Sequence, residues 1–493
     1  MLPVNTGGHA AYQDFLFENL RKHYPNFDSF PPDVWDILDR FYYLDLSPVD
    51  ISLRDSYSKF GPAPRLPSSM LRSMLAASEF GVSSYTDWAK QLKINPLYAI
   101  ISGFSFGDTP GTGTFYDFNH RLWDSDSPNI APHVHAPKSA VKKPSNKGDK
   151  ARPIEKITVE QLLKKFELEP PSTEIPFKKL FLIFKENFID ESVSRGLINP
   201  EAVSVAGDGT PVVTSARERK KRICDCGEKG ITSCDCERYY SQPDCDIGWD
   251  SSRECFYHGY DLYLLTDAAS GKDLPLFPML GPASRHDSHG FLYTWFTAKQ
   301  FLPDFHVTKL LLDSAHDAMP IYEYCKRENI IPFIDLNEKR GIKVKYKDDF
   351  TIGKDGVPIC KAGLKMHHDG VEKKKYRVKF RCPLANRKHG CSCDTPCSDS
   401  KYGRTVHLAM KDNPRLINIP PRDSDEWKKE YNARTSAERD NKRAKKDYKL
   451  EDGNHRSSRE WYCRLFSILM CQHLDAWDLP EDSVLRNRLT QAC

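Results

Sequence analysis

Residues 307–318, VTKLLLDSAHDA, combine a short apolar run with an abrupt polar end. The apolar and β-branched residues before Asp313 are typical of a central strand that is covered on both faces. A carboxylate just beyond such a strand can project into the crevice at its carboxyl end, where open α/β sheets usually place their sites. Asp313 is therefore a candidate site residue.

Strand and helix patterns flank this run on both sides. Upstream, residues 202–206 form a short apolar strand that runs into GDGTPVV, which places Asp208 at the strand end or just inside it. The segments YHGYDLYLLTDA and LPLFPML predict two more strands joined by a turn. Helices are predicted over residues 286–301 and 319–327, and IIPFID forms the next strand. The order β-β-β-α-β-α-β predicts an α/β domain.

A second candidate site lies in residues 431–445, YNARTSAERDNKRAK. On one regular helix, four of these side chains project within about 60° of one another. This face offers a carboxylate beside an aromatic hydroxyl and two cations, which suits a metal ligand among groups that bind phosphate. From this segment alone, a charged helix with a solvated face is the alternative. The four residues are Tyr431, Arg434, Glu438 and Lys445.

The chain up to residue 124 is predicted to be helical. Ser68 or Ser69, Thr86, and Thr112 or Thr114 can each cap a short helix. Short helices with sharp turns suit a helix-turn-helix module that binds DNA, and they suit a helical bundle without DNA contacts equally well.

Residues 125–153 are rich in Pro, Ser and Lys and poor in large apolar side chains, which predicts a flexible basic linker. Lys142 and Lys143 are its candidate DNA contacts. Solvation of the linker by these charges is the alternative.

The 15 cysteines fall largely into two groups. The first lies in an insertion over residues 217–255, and the second lies further along the chain. Thiolate pairs on short loops suit tetrahedral zinc, but the pairs here are C-x-C and not C-x2-C. Structural zinc at the second group and reduced thiols without metal both remain open. The second group consists of Cys382, Cys391, Cys393 and Cys397.

The composition is that of an ordinary soluble globular protein with two to four domains: 39% of the 493 residues are hydrophobic and 28% are charged. The net charge of +4 is too small to identify a partner. The N-terminus lacks the features of a signal peptide, and the apolar run over residues 461–471 is short and interrupted by Arg464. These features predict a cytoplasmic protein.

Taken together, these motifs resemble the DDE transposases of bacterial insertion sequences, of the type with a Tyr-x2-Arg-x3-Glu-x6-Lys signature. The segments GDGT and LLLDSAHD resemble the surroundings of the first and second catalytic aspartates of that family. ISGFSFGDTPGTGTFYDFNHRL is similar to the N-terminal domain of these elements. The matching positions are Asp208, Asp313, Tyr431, Arg434, Glu438 and Lys445.

The resemblance implies an RNase H-like catalytic domain with a mixed sheet, in which Asp208 and Asp313 lie on adjacent strands and Glu438 on a later helix. The insertion between Asp313 and Glu438 is expected to be a small β-rich module that touches DNA, or a solvated surface excursion. The implied division is a helical N-terminal DNA-binding domain (1–124), the basic linker (125–153), the first part of the catalytic domain (154–341, with the cysteine-rich insertion 217–255), an insertion with the candidate zinc ligands (342–422), and the catalytic helix with C-terminal helices (423–493).

The activity that the resemblance implies is metal-dependent cleavage at transposon ends, followed by transfer of the freed 3′-hydroxyl into target DNA. Asp208, Asp313 and Glu438 would hold two Mg²⁺ or Mn²⁺ ions about 4 Å apart, with Asp208 bridging them. An inactive DNA-binding protein descended from a transposase is one alternative, and a nuclease that cuts without joining is another.

The same resemblance implies roles for the neighbouring residues. Tyr431, Arg434 and Lys445 would position the DNA end, with the two cations on phosphates. His286 and His316 are expected to form hydrogen bonds around the site. The expected partners are transposon-end DNA, target DNA and a second copy of the chain on paired ends, in the bacterial cytoplasm at the nucleoid.

Overall fold

A mixed α/β architecture is seen in the computed structural model, as the sequence predicts. The structure describes residues 2, 7–130, 157–222, 226, 228–231, 238–337, 344–345, 350–353, 355–386, 390–391 and 393–491. The predicted DNA contacts Lys142 and Lys143, and most of the predicted linker, lie outside these residues.

The helices, in chain order, are α1 (Gly8–His23), α2 (Pro32–Tyr43), α3 (Ser47–Ser52), α4 (Pro67–Glu79), α5 (Tyr85–Ile94), α6 (Pro96–Ile101), α7 (Thr112–Arg121), α8 (Val159–Leu168), α9 (Lys178–Phe184), α10 (Asp190–Ser194), α11 (Asp287–Phe301), α12 (Met319–Arg327), α13 (Asp425–Asn432), α14 (Thr435–Lys442), α15 (Ser458–Ala476) and α16 (Val484–Gln491). Two π-helical segments, Lys185–Ile189 and Arg443–Asp447, follow α9 and α14.

The strands are β1 (Val203–Val213), β2 (Glu218–Arg222), β3 (Arg238–Tyr240), β4 (Asp246–Asp250), β5 (Cys255–Asp267), β6 (Leu274–Pro282), β7 (Val307–Leu312), β8 (Ile331–Ile334), β9 (Val344–Lys345), β10 (Thr351–Ile352), β11 (Pro358–Ile359), β12 (His367–Glu372), β13 (Arg377–Arg381), β14 (Ala385–Asn386), β15 (Gly390–Cys391) and β16 (Thr405–Ala409).

A six-stranded sheet forms the centre of the molecule, with strand order β4-β5-β1-β7-β8 and β6 beside β5. Strand β1 is antiparallel to β5 and parallel to β7, and β7 is parallel to β8. The predicted order of strands and helices from β1 through β5, β6, α11, β7 and α12 to β8 is confirmed. The cysteine-bearing insertion contributes β4 to the sheet edge, which sequence analysis did not predict.

The two faces of the sheet are covered by different helices. Alternation along each strand sends successive side chains to opposite faces. On one face, Val203 and Val205 line a small cavity with Trp295 and Ala298 of α11. On the other face, α13 and α14 pack on a small apolar cluster. This cluster comprises Ala206, Leu311, Phe333, Trp427 and Ala437.

Helix α15 connects the sheet to the N-terminal helices, and it is buried on nearly all sides. On one side the backbone N–H of Leu280 in β6 donates to the Tyr462 hydroxyl at 2.9 Å. On the other side Arg464 donates to the Ser78 hydroxyl of α4 at 2.9 Å. Buried hydrophobic residues therefore form one continuous core from the N-terminal helices into the sheet, in the part of the chain that the structure describes.

None of the three predicted helix caps is correct. Helix α7 begins at Thr112, with Gly111 as its N-cap residue and no side-chain cap bond, so Thr112 and Thr114 lie inside it. Helix α4 begins at Pro67, so Ser68 and Ser69 lie inside it, and the Ser68 hydroxyl donates to Asp50 instead. Proline suits the first helical position because its missing N–H needs no acceptor there. Helix α5 is capped by Ser84 and not by Thr86.

The insertion between Asp313 and Glu438 is rich in β-strands, from β9 to β16, where it is described, and it has a small hydrophobic core of its own. An ion pair joins it to the main sheet. The Arg415 guanidinium donates to both carboxylate oxygens of Asp317, at 2.7 and 2.6 Å, just after β7. Both side chains are buried, so the insertion is anchored close to Asp313.

Candidate active site

Asp208 and Asp313 lie side by side at the place where β1 and β7 separate. The parallel pairing of these strands ends at Ala206 and Leu311, which are direct partners. Asp208 and Asp313 each come two residues later, so alternation places both carboxylates on the face that Ala206 and Leu311 share. Strand β1 continues beyond Asp208, which is still paired with Leu264 of β5.

The Asp208 carboxylate is held by the sheet on one side and by α14 on the other. Asn441 of α14 donates to Asp208 Oδ2 at 3.3 Å. Burial, and after it the negative charges of Asp313 and Glu438, raise the pKa of Asp208 to about 7. The positive charges of His316 and Arg434 offset this only in part. The mutual repulsion shows that the structure gathers the three predicted carboxylates in one region.

This raised pKa predicts a pH effect on the stability of the metal-free protein. Between the ordinary pKa of 3.8 and about 7, the folded chain binds more protons at Asp208 than the unfolded chain does. Stability therefore falls as the pH rises through this range, by about 3 kcal/mol between pH 5 and pH 8. Asp208→Asn should lack this fall, which urea unfolding in EDTA at the two pH values measures. Equal pH dependence in both proteins would contradict the assignment.

Asp313 has a second set of partners. Its Oδ1 accepts from the Ala315 backbone N–H at 3.0 Å and lies 2.6 Å from His316 Nδ1. The other ring nitrogen of His316 lies 2.8 Å from the Tyr263 hydroxyl, in the buried interior. Burial alone would raise the pKa of Asp313, but the His316 contacts, the Ala315 N–H and Arg434 lower it. The expectation for His316 is thus confirmed, whereas His286 accepts from Ser288 and caps α11.

The prediction that the signature residues share one regular helix is wrong. Tyr431 lies in α13, which ends at Asn432, and Glu438 lies in α14, which begins at Thr435. Arg434 occupies the junction and forms an ion pair with Glu438, with 2.7 Å between Arg434 Nη2 and Glu438 Oε1. The Tyr431 ring stacks on Trp427 at 4.8 Å and lies under the Arg434 guanidinium. Burial raises the pKa of Tyr431 to about 12.

Lys445 departs furthest from the expected arrangement. It lies in the π-helical segment after α14, which adds residues to the turn and rotates Lys445 away from its position on a regular helix. Its Nζ donates to the Pro211 carbonyl of β1 at 2.7 Å and lies 3.3 Å from Glu451 Oε1. Lys445 therefore ties the signature segment to the strand that carries Asp208.

Replacement of this lysine tests that contact. Lys445→Met should lower the free energy of unfolding by about 1–2 kcal/mol, because Glu451 and the Pro211 carbonyl lose a charged donor. Lys446→Met is the matched control, since Lys446 is the exposed neighbour. Urea unfolding measures both proteins, and equal stability would show that the contact contributes nothing.

A family model described as the transposase DDE domain matches residues 226–474, which is slightly more than half of the 493 residues. The chain belongs to this family. The matched segment of the DDE domain contains Asp313 and the whole signature, whereas Asp208 lies before it. A search of curated proteins finds no match. In the part of the chain that the structure describes, no helix has the length and apolar character needed to cross a membrane.

The carboxylates of this DDE domain suit a hard divalent cation such as Mg²⁺ by their chemistry. Within the described residues, however, no three His, Cys, Asp or Glu side chains are grouped closely enough to hold an ion. Glu438 is paired with Arg434, and Asp313 with His316. The set of three carboxylates therefore fits such a cation by the chemistry of its oxygen donors and not by its present geometry.

The zinc prediction for the DDE domain stays a prediction. Cys382 is buried, and Cys393 and Cys397 are partly buried. The side chain of Cys391, the fourth predicted ligand, lies outside the described residues.

Two polar neighbours of the carboxylates in the DDE domain were missed by sequence analysis. Asn441 lies three residues after Glu438, and this helical spacing could have indicated it. Tyr263 reaches His316 from β5, and nothing in the sequence pairs these two positions. The Tyr263–His316 contact depends on the order of strands in the sheet.

Proposed function

We propose that this member of the DDE family is a DNA transposase of the insertion-sequence type, and that its catalytic domain has an RNase H-like fold. It would cleave DNA at transposon ends and transfer the 3′-hydroxyl into target DNA. The observation that carries the proposal is that Asp208 of β1 and Asp313, directly after β7, lie side by side, and that the negative charges of Asp313 and of Glu438 on α14 both act on Asp208. The sheet order, with three antiparallel strands followed by two parallel crossovers, supports the proposed fold.

Asp208, Asp313 and Glu438 would be the catalytic residues and would hold two Mg²⁺ or Mn²⁺ ions. When bound, such ions activate an oxygen nucleophile and stabilise the leaving oxygen. The His316 hydrogen bond takes up Oδ1 of Asp313 and leaves the other oxygen for this task. Asn441 likewise donates a hydrogen bond to Oδ2 of Asp208 and so orients this carboxylate.

Arg434 and Tyr431 would contact the DNA end. Arg434 forms an ion pair with Glu438, whose side chain is 49% exposed. A phosphate that approaches Arg434 would compete for its guanidinium, since phosphate accepts paired N–H donors as a carboxylate does. Glu438 would then be released toward Asp208. Lys445 would act beside them on phosphate only after it gives up its contacts with Pro211 and Glu451.

The remaining features fit the same activity. We propose that residues 1–124 bind DNA, that residues 342–422 touch DNA as a β-rich module, and that the protein acts as a homodimer on paired ends at the nucleoid. In this division residues 125–153 connect the N-terminal helices along the chain to the catalytic parts, 154–341 and 423–493, with which those helices share a hydrophobic core.

The test is cleavage and joining of DNA that carries the ends flanking the gene, with Mg²⁺ and with EDTA. A second substrate carries an end that is already cut, together with a target plasmid. A transposase gives metal-dependent joined product from both substrates. Cleavage without joined product would indicate a nuclease, and binding without cleavage or joining would indicate an inactive DNA-binding protein; either result would overturn the proposal.

A further inference from the structure

A polar cavity of about 160 Å³ lies among the N-terminal helices, and no residue of the candidate active site lines it. Helices α1 and α4 both begin beside this cavity. Gly8 and Ala11 of α1 are exposed at its mouth, whereas Ser68, Ser69 and Arg72 of α4 line it in the buried interior. We call this space the N-terminal cavity.

Arg72 brings a buried positive charge to the wall of the N-terminal cavity, since this residue is only 2% exposed. Its Nε has no hydrogen-bond partner, and its Nη2 reaches the Leu44 carbonyl only at 3.5 Å. The guanidinium lies over the ring of Tyr12, 3.5 Å from the ring centroid. Among the described residues, no carboxylate forms an ion pair with Arg72. Buried N–H donors normally have acceptors, so this wall offers donors that a ligand can fill.

Two carboxylates, Asp50 and Asp45, act on the charge of Arg72 from a distance, and both accept hydrogen bonds from other residues. Asp50, in the wall of the cavity, accepts from the backbone N–H of Ser68 at 2.8 Å and from its hydroxyl at 2.9 Å. Asp45, about half exposed, accepts from the N–H and the hydroxyl of Ser47. Burial lowers the pKa of Arg72 in spite of both carboxylates. They therefore do not compensate for the loss of water around this charge.

The beginnings of two helices add partial positive charge to the same space. Helix α1 has 16 residues, and its N-cap residue, Gly7, has no side chain that could accept from the first N–H groups. Helix α4 has 13 residues and the apolar N-cap residue Leu66, although Asp50 accepts from one N–H of its first turn. The first N–H groups and the dipole of a helix favour an anion at its N-terminus. Arg72 and two positive helix ends thus surround a cavity whose wall contains one carboxylate.

We propose that the N-terminal cavity is a binding site for a phosphate group. The oxygens of phosphate accept several N–H and O–H donors at once, and a guanidinium presents paired donors to them. Arg72 would donate from the interior, and the Ser69 hydroxyl and the first N–H groups of α1 would donate from the sides. Because Arg72 is buried, a phosphate inside a continuous DNA strand does not reach it. The phosphate group is therefore a free ion or the terminal phosphate of a DNA strand.

Isothermal titration calorimetry measures the binding of inorganic phosphate to the full-length protein, with NaCl holding the ionic strength constant. Ala11→Glu adds a negative charge at the mouth of the cavity and should weaken phosphate binding at least about tenfold. Ala10→Glu is the matched control, because Ala10 is the exposed neighbour and does not line the cavity. Arg72→Gln should abolish binding. Circular dichroism checks whether this buried variant folds, and Ala11→Glu tests the site without a change in the core.

A second measurement distinguishes the two sources of the phosphate group. Fluorescence anisotropy in EDTA compares duplexes that have a 5′-phosphate with duplexes that have a 5′-hydroxyl. Tighter binding of the phosphorylated ends, with this gain lost in Ala11→Glu and kept in Ala10→Glu, identifies the end of a DNA strand as the source. Equal affinity for the two duplexes, together with binding of the free ion as above, identifies inorganic phosphate.

Two results would overturn the inference. The first is a wild-type protein that binds neither the free ion nor the 5′-phosphate, which would leave water as the occupant of the cavity. The second is phosphate binding of equal strength in wild type, in Ala11→Glu and in a folded Arg72→Gln, which would place the ion elsewhere. Neither result bears on the proposed transposase activity, because titration with inorganic phosphate involves no DNA.

Discussion

Glu438→Gln should lower the rate of DNA cleavage and joining by at least about 10³-fold, which corresponds to about 4 kcal/mol of lost transition-state stabilisation. The change removes one negative charge and keeps the size of the side chain. Glu438 is half exposed and forms an ion pair with Arg434 at the surface, so the fold should survive its replacement. A neutral amide holds a divalent cation poorly, and the loss is therefore expected in the chemical step.

The matched control for this variant is Glu426→Gln. Glu426 is an exposed carboxylate on α13 and lies close in sequence to the signature. Both variants are assayed for metal-dependent joining and, in EDTA, for binding of transposon-end DNA. We expect normal DNA binding in both and loss of joining only at Glu438. Joining at the wild-type rate in Glu438→Gln would remove Glu438 from the proposed catalytic set.

Arg415→Ala should lower the free energy of unfolding by about 4 kcal/mol. The Asp317 carboxylate is fully buried, and Arg415 donates to both of its oxygens. Without the guanidinium, the carboxylate remains in the interior with the Tyr322 hydroxyl and the Asn337 backbone N–H as its other donors. An uncompensated buried charge is costly, whereas loss of an exposed ion pair is nearly neutral.

Lys411→Ala provides the comparison for this second variant, because Lys411 is exposed in the same segment. Urea unfolding, followed by circular dichroism and by tryptophan fluorescence, measures both proteins. Asp317 follows Asp313 by only four residues. The Arg415→Ala variant should therefore lose DNA joining at urea concentrations below those that unfold it. Equal unfolding midpoints for the two variants would show that the ion pair does not anchor the insertion.

Much of the sheet could be predicted because its information is local. The apolar run before Asp313 and the alternating or helical patterns around it predicted β1, β5, β6, α11, β7, α12 and β8 in the correct order. Period and length distinguish a strand from a helix without knowledge of the partner. Strand β4 was missed because the cysteines and charges around it conceal a strand of only five residues.

The candidate site was predictable in its residue types and only partly in its geometry. The resemblance to the DDE family indicated Asp208, Asp313 and Glu438 together, whereas the residue pattern alone indicated only that Asp208 and Asp313 lie at or just beyond strand ends. The helical wheel for Lys445 assumed a regular helix, and a π-helical segment changes the direction of that side chain. The Asn441–Asp208 and Tyr263–His316 contacts form only because the elements that carry these residues become neighbours in the fold. The spacing of residues along the chain does not show which elements become neighbours.

The sequence by itself determined the mixed α/β class and the order of the central strands and helices, because periodicity is a property of the chain alone, whereas the three candidate carboxylates came from its resemblance to the DDE family. Only the tertiary structure decided that Asp208 and Asp313 become neighbours at the separation of β1 and β7. It also decided that Glu438 is held by Arg434 and Lys445 by Pro211 and Glu451. The physical reason is that burial, charge repulsion and ion pairing depend on distances in space between residues that are remote along the chain.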